Sequence, residues 1–311
     1  MKPAVLVIGC GAVGGIFAAR LARVCGVTVL DPWREHIAAI AARGLRVAVR
    51  DGTVRETLDA RPAAAAAADE LAGRTFTHGL VAVKSPHTRT AVGAARTLLD
   101  GAVVLTVQNG LGNAETIAAA CDAPVCHGVT MNAGEVAGPG EIVQAEIGAT
   151  RFGPHRASLA DAQRWGDLLA RAGLETEVLP DPRGAIWSKL IFNAAVNPLP
   201  VLTGLGLAAV YAHRETYALL ADLVGEGKQV AATRGIALPV DPWRVIEEHR
   251  ALGAAHTHQG SMKQDIDRGR RTEIESLTGA LIAEADRAGV AVPALRTVYR
   301  LVKAVEEERP A

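Results

Sequence analysis

The sequence predicts an α/β protein in which an N-terminal doubly wound parallel sheet is followed by an all-α C-terminal domain. A glycine-rich turn joins a buried apolar run to a helical pattern within residues 4–24. Strands and helices then alternate as far as residue 179, and nearly every later segment up to residue 306 has the pattern of a helix. We therefore expect a sheet domain over residues 1–180 and a helical domain over residues 181–311.

The first elements form a βαβ unit around a glycine motif. Residues 4–10 make a continuous apolar run, a helical pattern follows, and residues 27–31 make a second strand. The turn has the pattern Gly-x-Gly-x-x-Gly, which in this strand-to-helix context is typical of a Rossmann-like dinucleotide site. The helix N-terminus would offer its N–H groups to the phosphates. The predicted cofactor residues of this turn are Gly9, Gly11, Ala12, Val13 and Gly14.

Asp31 ends the second predicted strand. A carboxylate there accepts hydrogen bonds from the adenosine ribose hydroxyls and repels a 2′-phosphate, which favours NADH over NADPH. Arg34 lies close enough in sequence to meet a 2′-phosphate, so these residues are consistent with either NADH or NADPH. A helix cap before Pro32 is the structural alternative for Asp31.

The rest of the N-terminal half alternates between strand and helix signals. Asp51-Gly52 between two alternating runs predicts a β-hairpin over residues 45–58. Six alanines at residues 63–68 predict a short helix or a linker. Helical patterns follow at residues 88–99 and 157–172, and strand patterns at residues 80–84, 102–107, 125–132, 141–153 and 175–179.

Two polar residues come at the ends of predicted strands. Lys84 ends the strand over residues 80–84, and Asn109 follows the strand over residues 102–107. Both are therefore expected at the carboxyl edge of the sheet, where ligands bind in folds of this kind. A solvated strand end and a simple turn are the alternative interpretations.

One helical stripe of the C-terminal half is polar in an apolar setting. Lys189, Asn193 and Asn197 are spaced i, i+4 and i+8, so they share one face of a helix. Their neighbours are apolar, which favours a face turned toward a cleft, although a solvated face is the alternative. Pro198 predicts that this helix ends or kinks at Asn197.

A second polar cluster lies within residues 261–278. Thr272 and Glu275 form a Thr-x-x-Glu capping box, which predicts a helix that begins near residue 273 with Glu273 in its first turn. Ser261 lies on the preceding predicted helix. Pairing with the helix dipole and ordinary surface polarity are the structural alternatives for Glu273 and Ser261.

Composition excludes several classes of partner. The formal net charge is zero, which argues against nucleic acid or an anionic membrane, and no apolar run approaches the roughly 20 residues of a membrane span. The N-terminus lacks a signal-peptide layout and the four cysteines form no Cys-x-x-Cys pair, so we expect a cytoplasmic protein with reduced thiols. The histidines, His256 and His258 among them, show no recognised ligand spacing, so no metal site is expected.

Taken together, the motifs resemble those of the ketopantoate reductase (2-dehydropantoate 2-reductase) family along essentially the whole chain. The resemblance implies reduction of 2-dehydropantoate to (R)-pantoate, on the route to pantothenate and coenzyme A, usually with NADPH. It assigns Lys189 as general acid, places Lys84 near the cofactor, and places around the substrate or nicotinamide the residues Asn109, Asn193, Asn197, Ser261 and Glu273. The likeness rests on the glycine motif, Val83-Lys84, Gln-Asn-Gly-Leu-Gly at 108–112, Lys-x-x-x-Asn-x-x-x-Asn-Pro at 189–198, and Ser-Met-x-x-Asp with Arg-x-Thr-Glu-Ile within 261–274.

In such a reaction negative charge grows on the substrate oxygen, where the Lys189 ammonium would stabilise it and then donate a proton. Glu273, the second predicted catalytic residue, would accept a hydrogen bond from the terminal hydroxyl of the substrate. The alternatives are a reductase of another branched or hydroxylated 2-keto acid, a 3-hydroxyacid dehydrogenase, which the Arg-x-Thr-Glu-Ile segment disfavours, and a non-catalytic dinucleotide sensor. The expected partner is a small 2-keto acid, and the helical half would support a homodimer.

Overall fold

The computed structural model describes residues 2–50, 55–253 and 260–308. Packing divides the chain into two compact units: Met1–Gln108 with Asn113–Pro182, and Asn109–Gly112 with Arg183–Ala311. Among the described residues every strand lies in the first unit, and the second is helical, as the sequence predicts. The predicted hairpin turn Asp51-Gly52 lies outside the described residues.

The first unit contains twelve strands and five α-helices within the described residues. Its strands are β1 (Ala4–Ile8), β2 (Gly26–Leu30), β3 (Leu45–Arg50), β4 (Arg55–Ala60), β5 (Ala63–Ala65), β6 (His78–Val81), β7 (Val103–Thr106), β8 (Val125–Thr130), β9 (Ala133–Gly138), β10 (Glu141–Glu146), β11 (Thr150–Pro154) and β12 (Thr176–Val178). Its helices are α1 (Ala12–Leu21), α2 (Arg34–Arg43), α3 (Thr88–Ala94), α4 (Asn113–Ala120) and α5 (Leu159–Arg171).

The main sheet has eight strands in the order β5-β2-β1-β6-β7-β8-β11-β12. All neighbours from β5 to β8 pair in parallel, and the connections reverse direction between β1 and β6. On the far side β11 pairs antiparallel with β8 and parallel with β12. The predicted doubly wound sheet is confirmed, and its ligand edge is therefore the one at the carboxyl ends of β1, β2, β6 and β7.

A second sheet has four strands in the order β4-β3-β10-β9 and packs against α1. A Cβ atom added at Gly15 would overlap Cδ1 of Ile142 in β10. Residues 141–153, predicted as a single strand, therefore divide into β10 in this sheet and β11 in the main sheet. Helix α1 lies between the two sheets, which explains why its residues from Gly14 to Leu21 are buried.

The prediction of a short helix or linker over residues 63–68 is wrong. Ala63–Ala65 form β5, which pairs in parallel with β2. Alanine favours helix by intrinsic propensity, but tertiary pairing overrides propensity where a strand can join a sheet edge. Ala65 is buried, and its small side chain lets β5 lie close to the core.

The second unit is a bundle built around α6, which packs against α9 and α10. A π-helical turn, Glu275–Gly279, leads directly into α12 and packs against α6. None of the described helices is both long and apolar enough to cross a membrane. The α-helices of this unit are α6 (Arg183–Val196), α7 (Pro198–Thr203), α8 (Leu207–Ala212), α9 (Arg214–Thr233), α10 (Pro242–Leu252), α11 (Ser261–Asp267), α12 (Ala280–Ala288) and α13 (Pro293–Glu307).

Candidate active site

The glycine turn between β1 and α1 leaves the N-terminus of α1 open. Gly11 is the N-cap residue and makes no side-chain hydrogen bond, and a Cβ atom added there would have nothing within 4 Å. A Cβ atom at Gly14, by contrast, would overlap the carbonyl oxygen of Gly9, so only glycine lets the helix pack this closely on the turn. Open N–H groups at a helix N-terminus form a site suited to phosphate.

Asp31 follows β2 and is tied directly to the glycine turn. One carboxylate oxygen accepts a hydrogen bond from the Cys10 N–H at 2.8 Å, and the other accepts from the Trp33 N–H at 2.9 Å. These two bonds hold the carboxylate beside the turn. Each oxygen keeps a further lone pair, so a ribose hydroxyl can still donate to it. The capping alternative is wrong, because the N-cap residue of α2 is Trp33 and no side chain caps this helix. The cofactor role of Asp31 stays a prediction.

Lys84 lies beyond the end of β6, immediately before the 3₁₀ turn Ser85–His87. A Cβ atom added at Gly9 would be 2.7 Å from the backbone nitrogen of Val83, so the segment that carries Lys84 runs alongside the glycine turn. The structure thus brings the glycine turn, Asp31 and Lys84 together at one edge of the sheet.

Lys189, Asn193 and Asn197 follow one another along α6 and its exit. Lys189 is half-buried, and both asparagines are buried. Helix α6 ends just before Asn197 and α7 begins at Pro198, as the proline predicts, although Asn197 itself keeps helical dihedral angles. Asn197 therefore joins the two helices with a helical backbone conformation.

The proline also leaves a carbonyl group that lacks its helical donor. Pro198 has no N–H to offer to the Ala194 carbonyl oxygen four residues earlier. The hydroxyl of Thr278 donates to that oxygen instead, at 3.4 Å. The π-helical turn is in this way joined to the polar segment of α6, a contact for which the sequence offers no local signal.

The predicted capping box at Thr272 and Glu275 is wrong. The Thr272 hydroxyl oxygen accepts from the Ile274 N–H at 3.1 Å, while the Glu275 carboxylate accepts from the Tyr299 hydroxyl at 2.9 Å and pairs with Lys303 at 3.0 Å. Because α13 supplies partners for Glu275, the helix begins at Glu275 as a π-helical turn. Glu273 therefore precedes the helix, where it is buried.

Asn109 belongs with the helical unit, through the segment Asn109–Gly112. The Leu111 N–H donates to the Ser276 carbonyl oxygen at 3.0 Å. Gly110 has a φ of +88°, and a Cβ atom there would overlap the same carbonyl. The segment that contains Asn109 thus contacts the π-helical turn, which follows Glu273. The Asn-Gly pair predicts only a turn, so the sequence alone did not reveal this docking.

Ser261 is the first residue of α11 and is half-buried. Helix α11 packs against α7, and a Cβ atom at Gly260 would be 3.8 Å from Pro200. The helical unit therefore places the predicted polar residues on α6 and just after it, at the start of α11, just before the π-helical turn and in the docked 109–112 segment. Helix α7 packs against both α6 and α11. The assignment of each residue to a reaction remains a prediction.

The described residues contain no group of three or more His, Cys, Asp or Glu side chains that could hold a metal ion. His256 and His258 lie outside the described residues. The four cysteines are free, and burial raises the pKa of Cys126 to about 12 and the pKa of Cys10 still higher. These two thiols are therefore protonated and unreactive at neutral pH.

Comparison with known proteins gives the same family for both units. The family described as Ketopantoate reductase PanE/ApbA matches residues 5–157, and its C-terminal counterpart matches residues 181–306. A 2-dehydropantoate 2-reductase of Halobacterium salinarum is 33% identical over 98% of this chain and 99% of its own length.

Solved structures agree with this result. A PanE/ApbA family ketopantoate reductase from Ralstonia eutropha has a TM-score of 0.87 at 30% identity and covers 98% of this chain and 99% of its own. A D-mandelate dehydrogenase solved with NADH and anilino(oxo)acetate has the same fold, with a TM-score of 0.88 at 24% identity over 98% of each chain. The chain therefore belongs to the ketopantoate reductase family and is an NAD(P)H-dependent oxidoreductase.

Proposed function

We propose that this enzyme reduces 2-dehydropantoate to (R)-pantoate with a hydride from NAD(P)H, in the biosynthesis of pantothenate and coenzyme A. The observation that carries the proposal is the polar stripe of α6, in which Lys189, Asn193 and Asn197 are half-buried or buried among apolar residues. A lysine and two amides on one helix face offer a positive charge and hydrogen-bonding groups that suit the carboxylate and keto oxygen of a 2-keto acid. The 33% identity to a named 2-dehydropantoate 2-reductase supports the choice of substrate.

The first unit fits a nicotinamide dinucleotide. The open N-terminus of α1 would hold the pyrophosphate, Asp31 would accept from the adenosine ribose, and Lys84 would lie near the cofactor. When bound, the reduced nicotinamide supplies the hydride. Asp31 favours NADH, whereas the habit of the family favours NADPH, so we propose that both cofactors are accepted and that Asp31 sets their ratio.

Lys189 acts as the general acid in this proposal. As the carbonyl carbon of the keto acid gains a hydride, negative charge develops on its oxygen. The Lys189 ammonium stabilises that charge and donates the proton that completes the alcohol. Half-burial strengthens this interaction, because a charge acts over a lower effective dielectric constant inside a protein than in water.

The remaining polar residues orient the lysine and the substrate. Asn193 and Asn197 lie one and two turns beyond Lys189, from where their amides would hydrogen-bond to the substrate and the ammonium. Asn109 and Ser261 would contribute further hydrogen bonds to the substrate. Glu273 would accept from the terminal hydroxyl of 2-dehydropantoate, which favours a hydroxylated keto acid over a purely aliphatic one.

The proposal is tested by the initial rate of 2-dehydropantoate reduction, followed at the nicotinamide absorbance with NADPH and NADH in parallel. Turnover several orders of magnitude above that with aliphatic 2-keto acids is the expected result. A higher kcat/KM for another branched or hydroxylated 2-keto acid would replace the substrate and keep the reaction. Binding of NAD(P)H without turnover of any keto acid would indicate a dinucleotide sensor.

We also propose that the enzyme works in the cytoplasm as a homodimer. Its four free cysteines and its use of NAD(P)H suit a reducing compartment. The helical unit would supply the contact between the two copies. Light scattering of the purified protein measures the oligomeric state, and the mass of a single chain would contradict the dimer.

A further inference from the structure

Gln108 is a buried amide that has no role in the reaction as proposed. It lies two residues beyond the end of β7 and just before Asn109, and only 6% of its surface is exposed. A buried primary amide is costly unless its donors and its acceptor all find partners. The partners of Gln108 therefore show what the residue holds in place.

Both polar atoms of the Gln108 side-chain amide make hydrogen bonds. Its Oε1 accepts from the Thr106 hydroxyl at 2.8 Å, and its Nε2 donates to the Val83 carbonyl oxygen at 2.6 Å and to Thr88 Oγ1 at 2.8 Å. A carbonyl oxygen can only accept, so the contact with Val83 fixes which end of the amide is the NH₂ group. Gln108 thus joins the end of β7 to the segment that follows β6.

The same hydrogen-bond chain continues around Lys84. Thr88 Oγ1 donates to Asn113 Oδ1 at 3.2 Å, and Asn113 Nδ2 donates to the Ser85 hydroxyl at 3.1 Å. Val83 and Ser85 are the residues on either side of Lys84, so hydrogen bonds anchor the residue before this lysine through its carbonyl and the residue after it through its hydroxyl. Gln108, Thr88 and Asn113 are all buried, which protects the chain of bonds from competing water.

Val83 also lies directly against the glycine turn. A Cβ atom added at Gly9 would be 2.7 Å from both the backbone nitrogen and Cγ1 of Val83. A shift of the Val83 backbone would therefore displace the glycine turn or break the contact between Val83 and Gly9. The side chain of Gln108 is the donor that fixes the carbonyl end of this residue.

We infer that Gln108 is a positioning residue of the cofactor site, which holds the Lys84 segment against the glycine turn through the carbonyl of Val83. The inference rests on the proposed cofactor role of the turn and of Lys84. Gln108 does not touch the reacting atoms in this assignment. Its removal should weaken cofactor binding while kcat, measured at saturating cofactor, stays near the wild-type value.

The test compares three variants of the full chain. Gln108→Met keeps the volume of the side chain but removes its hydrogen bonds, and Thr88→Val removes one link of the same network. Trp165→Phe is the matched control, because it removes a buried hydrogen bond from the opposite end of β7, where Trp165 Nε1 donates to the Val103 carbonyl at 3.0 Å. The readouts are the Kd of NADPH and of NADH by nicotinamide fluorescence, kcat at saturation, and the Tm.

We expect Gln108→Met to raise the cofactor Kd about tenfold, Thr88→Val to raise it less, and Trp165→Phe to lower Tm without changing Kd. Wild-type Kd values in a folded Gln108→Met protein would overturn the inference while leaving the proposed function intact. If Gln108→Met does not fold, Thr88→Val decides in the same way. A wild-type protein that binds neither cofactor would overturn the inference together with the proposed function.

Discussion

The N–H of Leu111 donates a 3.0 Å hydrogen bond to the carbonyl oxygen of Ser276 in the π-helical turn. A π-helical turn disrupts the regular hydrogen-bond ladder of a helix, and such turns are frequent at functional sites. Glu273 lies just before this turn, and the Ser276 hydroxyl donates to the Glu273 carbonyl at 3.1 Å. The bond therefore joins the segment that contains Asn109, two residues before Leu111, to the segment that contains Glu273.

Gly110→Ala should destabilise the protein more than Gly112→Ala. Both glycines have a φ of +88°, so alanine meets the same backbone strain at each. Only at Gly110 would the new Cβ atom also overlap the Ser276 carbonyl, whereas nothing lies within 4 Å of the corresponding point at Gly112. We expect a loss of about 1 kcal/mol for Gly112→Ala and about 3 kcal/mol or more for Gly110→Ala, measured by urea unfolding. Equal losses would show that the docking contact is unimportant.

Lys189→Ala should lower kcat by about 10²- to 10⁴-fold while the protein still binds NAD(P)H, because the substitution removes the proposed proton donor and leaves the sheet unit unchanged. Steady-state rates and nicotinamide fluorescence measure the two quantities. Lys228→Ala is the control, since Lys228 pairs with Asp241 at 3.1 Å on the exposed surface of the helical unit. A Lys189→Ala enzyme with near-normal turnover would exclude the general-acid role.

Asp31→Asn should shift cofactor use toward NADPH by about tenfold or more in the ratio of kcat/KM values. The substitution removes the negative charge that repels a 2′-phosphate but keeps the shape of the side chain. Its cost in stability is the loss of one of the bonds from Cys10 and Trp33.

The control for Asp31 is Asp161→Asn, which alters a carboxylate that caps α5 through Ser158 in the same unit. It should lower the free energy of unfolding without changing the cofactor ratio. If Asp31→Asn leaves the ratio of NADPH to NADH use unchanged, Asp31 does not contact the adenosine ribose.

Folding stability should fall as pH is lowered from about 6.5 to about 4. Burial lowers the pKa of His78 to about 4 and that of His127 to about 4, whereas both rings titrate near 6.5 in the unfolded chain. Between these values the unfolded chain binds more protons, so the free energy of unfolding rises with pH and is fully present above 6.5.

Each of these histidines should contribute about 1–3 kcal/mol to that pH dependence. Urea unfolding at intervals between pH 4 and pH 7 measures it, and His127→Gln should reduce the slope. His213→Gln is the control substitution, because His213 lies exposed at the start of α9. An unchanged slope in His127→Gln would mean that His127 is not held neutral by the fold.

Local patterns predicted most of the elements that carry the proposed cofactor site. The apolar run before Gly9, the glycine spacing and the helical pattern after it are short-range signals, and β1, the turn and α1 match them. The spacing of Lys189, Asn193 and Asn197 is likewise local, since three residues at i, i+4 and i+8 share a face in any helix. The short range of these signals explains why the sequence was sufficient.

Predictions failed where a distant partner competed with a local preference. Glu275 was expected to cap its own helix, but Tyr299 and Lys303 of α13 take its carboxylate. Ala63–Ala65 were expected in a helix or linker, but the open edge of β2 draws them into the sheet. In both cases the decisive contact joins residues far apart in sequence or in separate elements, so no local pattern encodes it.

The sequence by itself determined the fold class, the family and the residue types available for the chemistry, because periodicity, glycine spacing and motif order are properties of neighbouring residues. Only the tertiary structure decided that the Asp31 carboxylate is held by the Cys10 N–H, that Gln108 supports the Val83 carbonyl, and that Leu111 docks on Ser276. These relations depend on which buried donor pairs with which acceptor. The pairing is decided when the whole chain packs, because a buried polar group without a hydrogen-bond partner is costly.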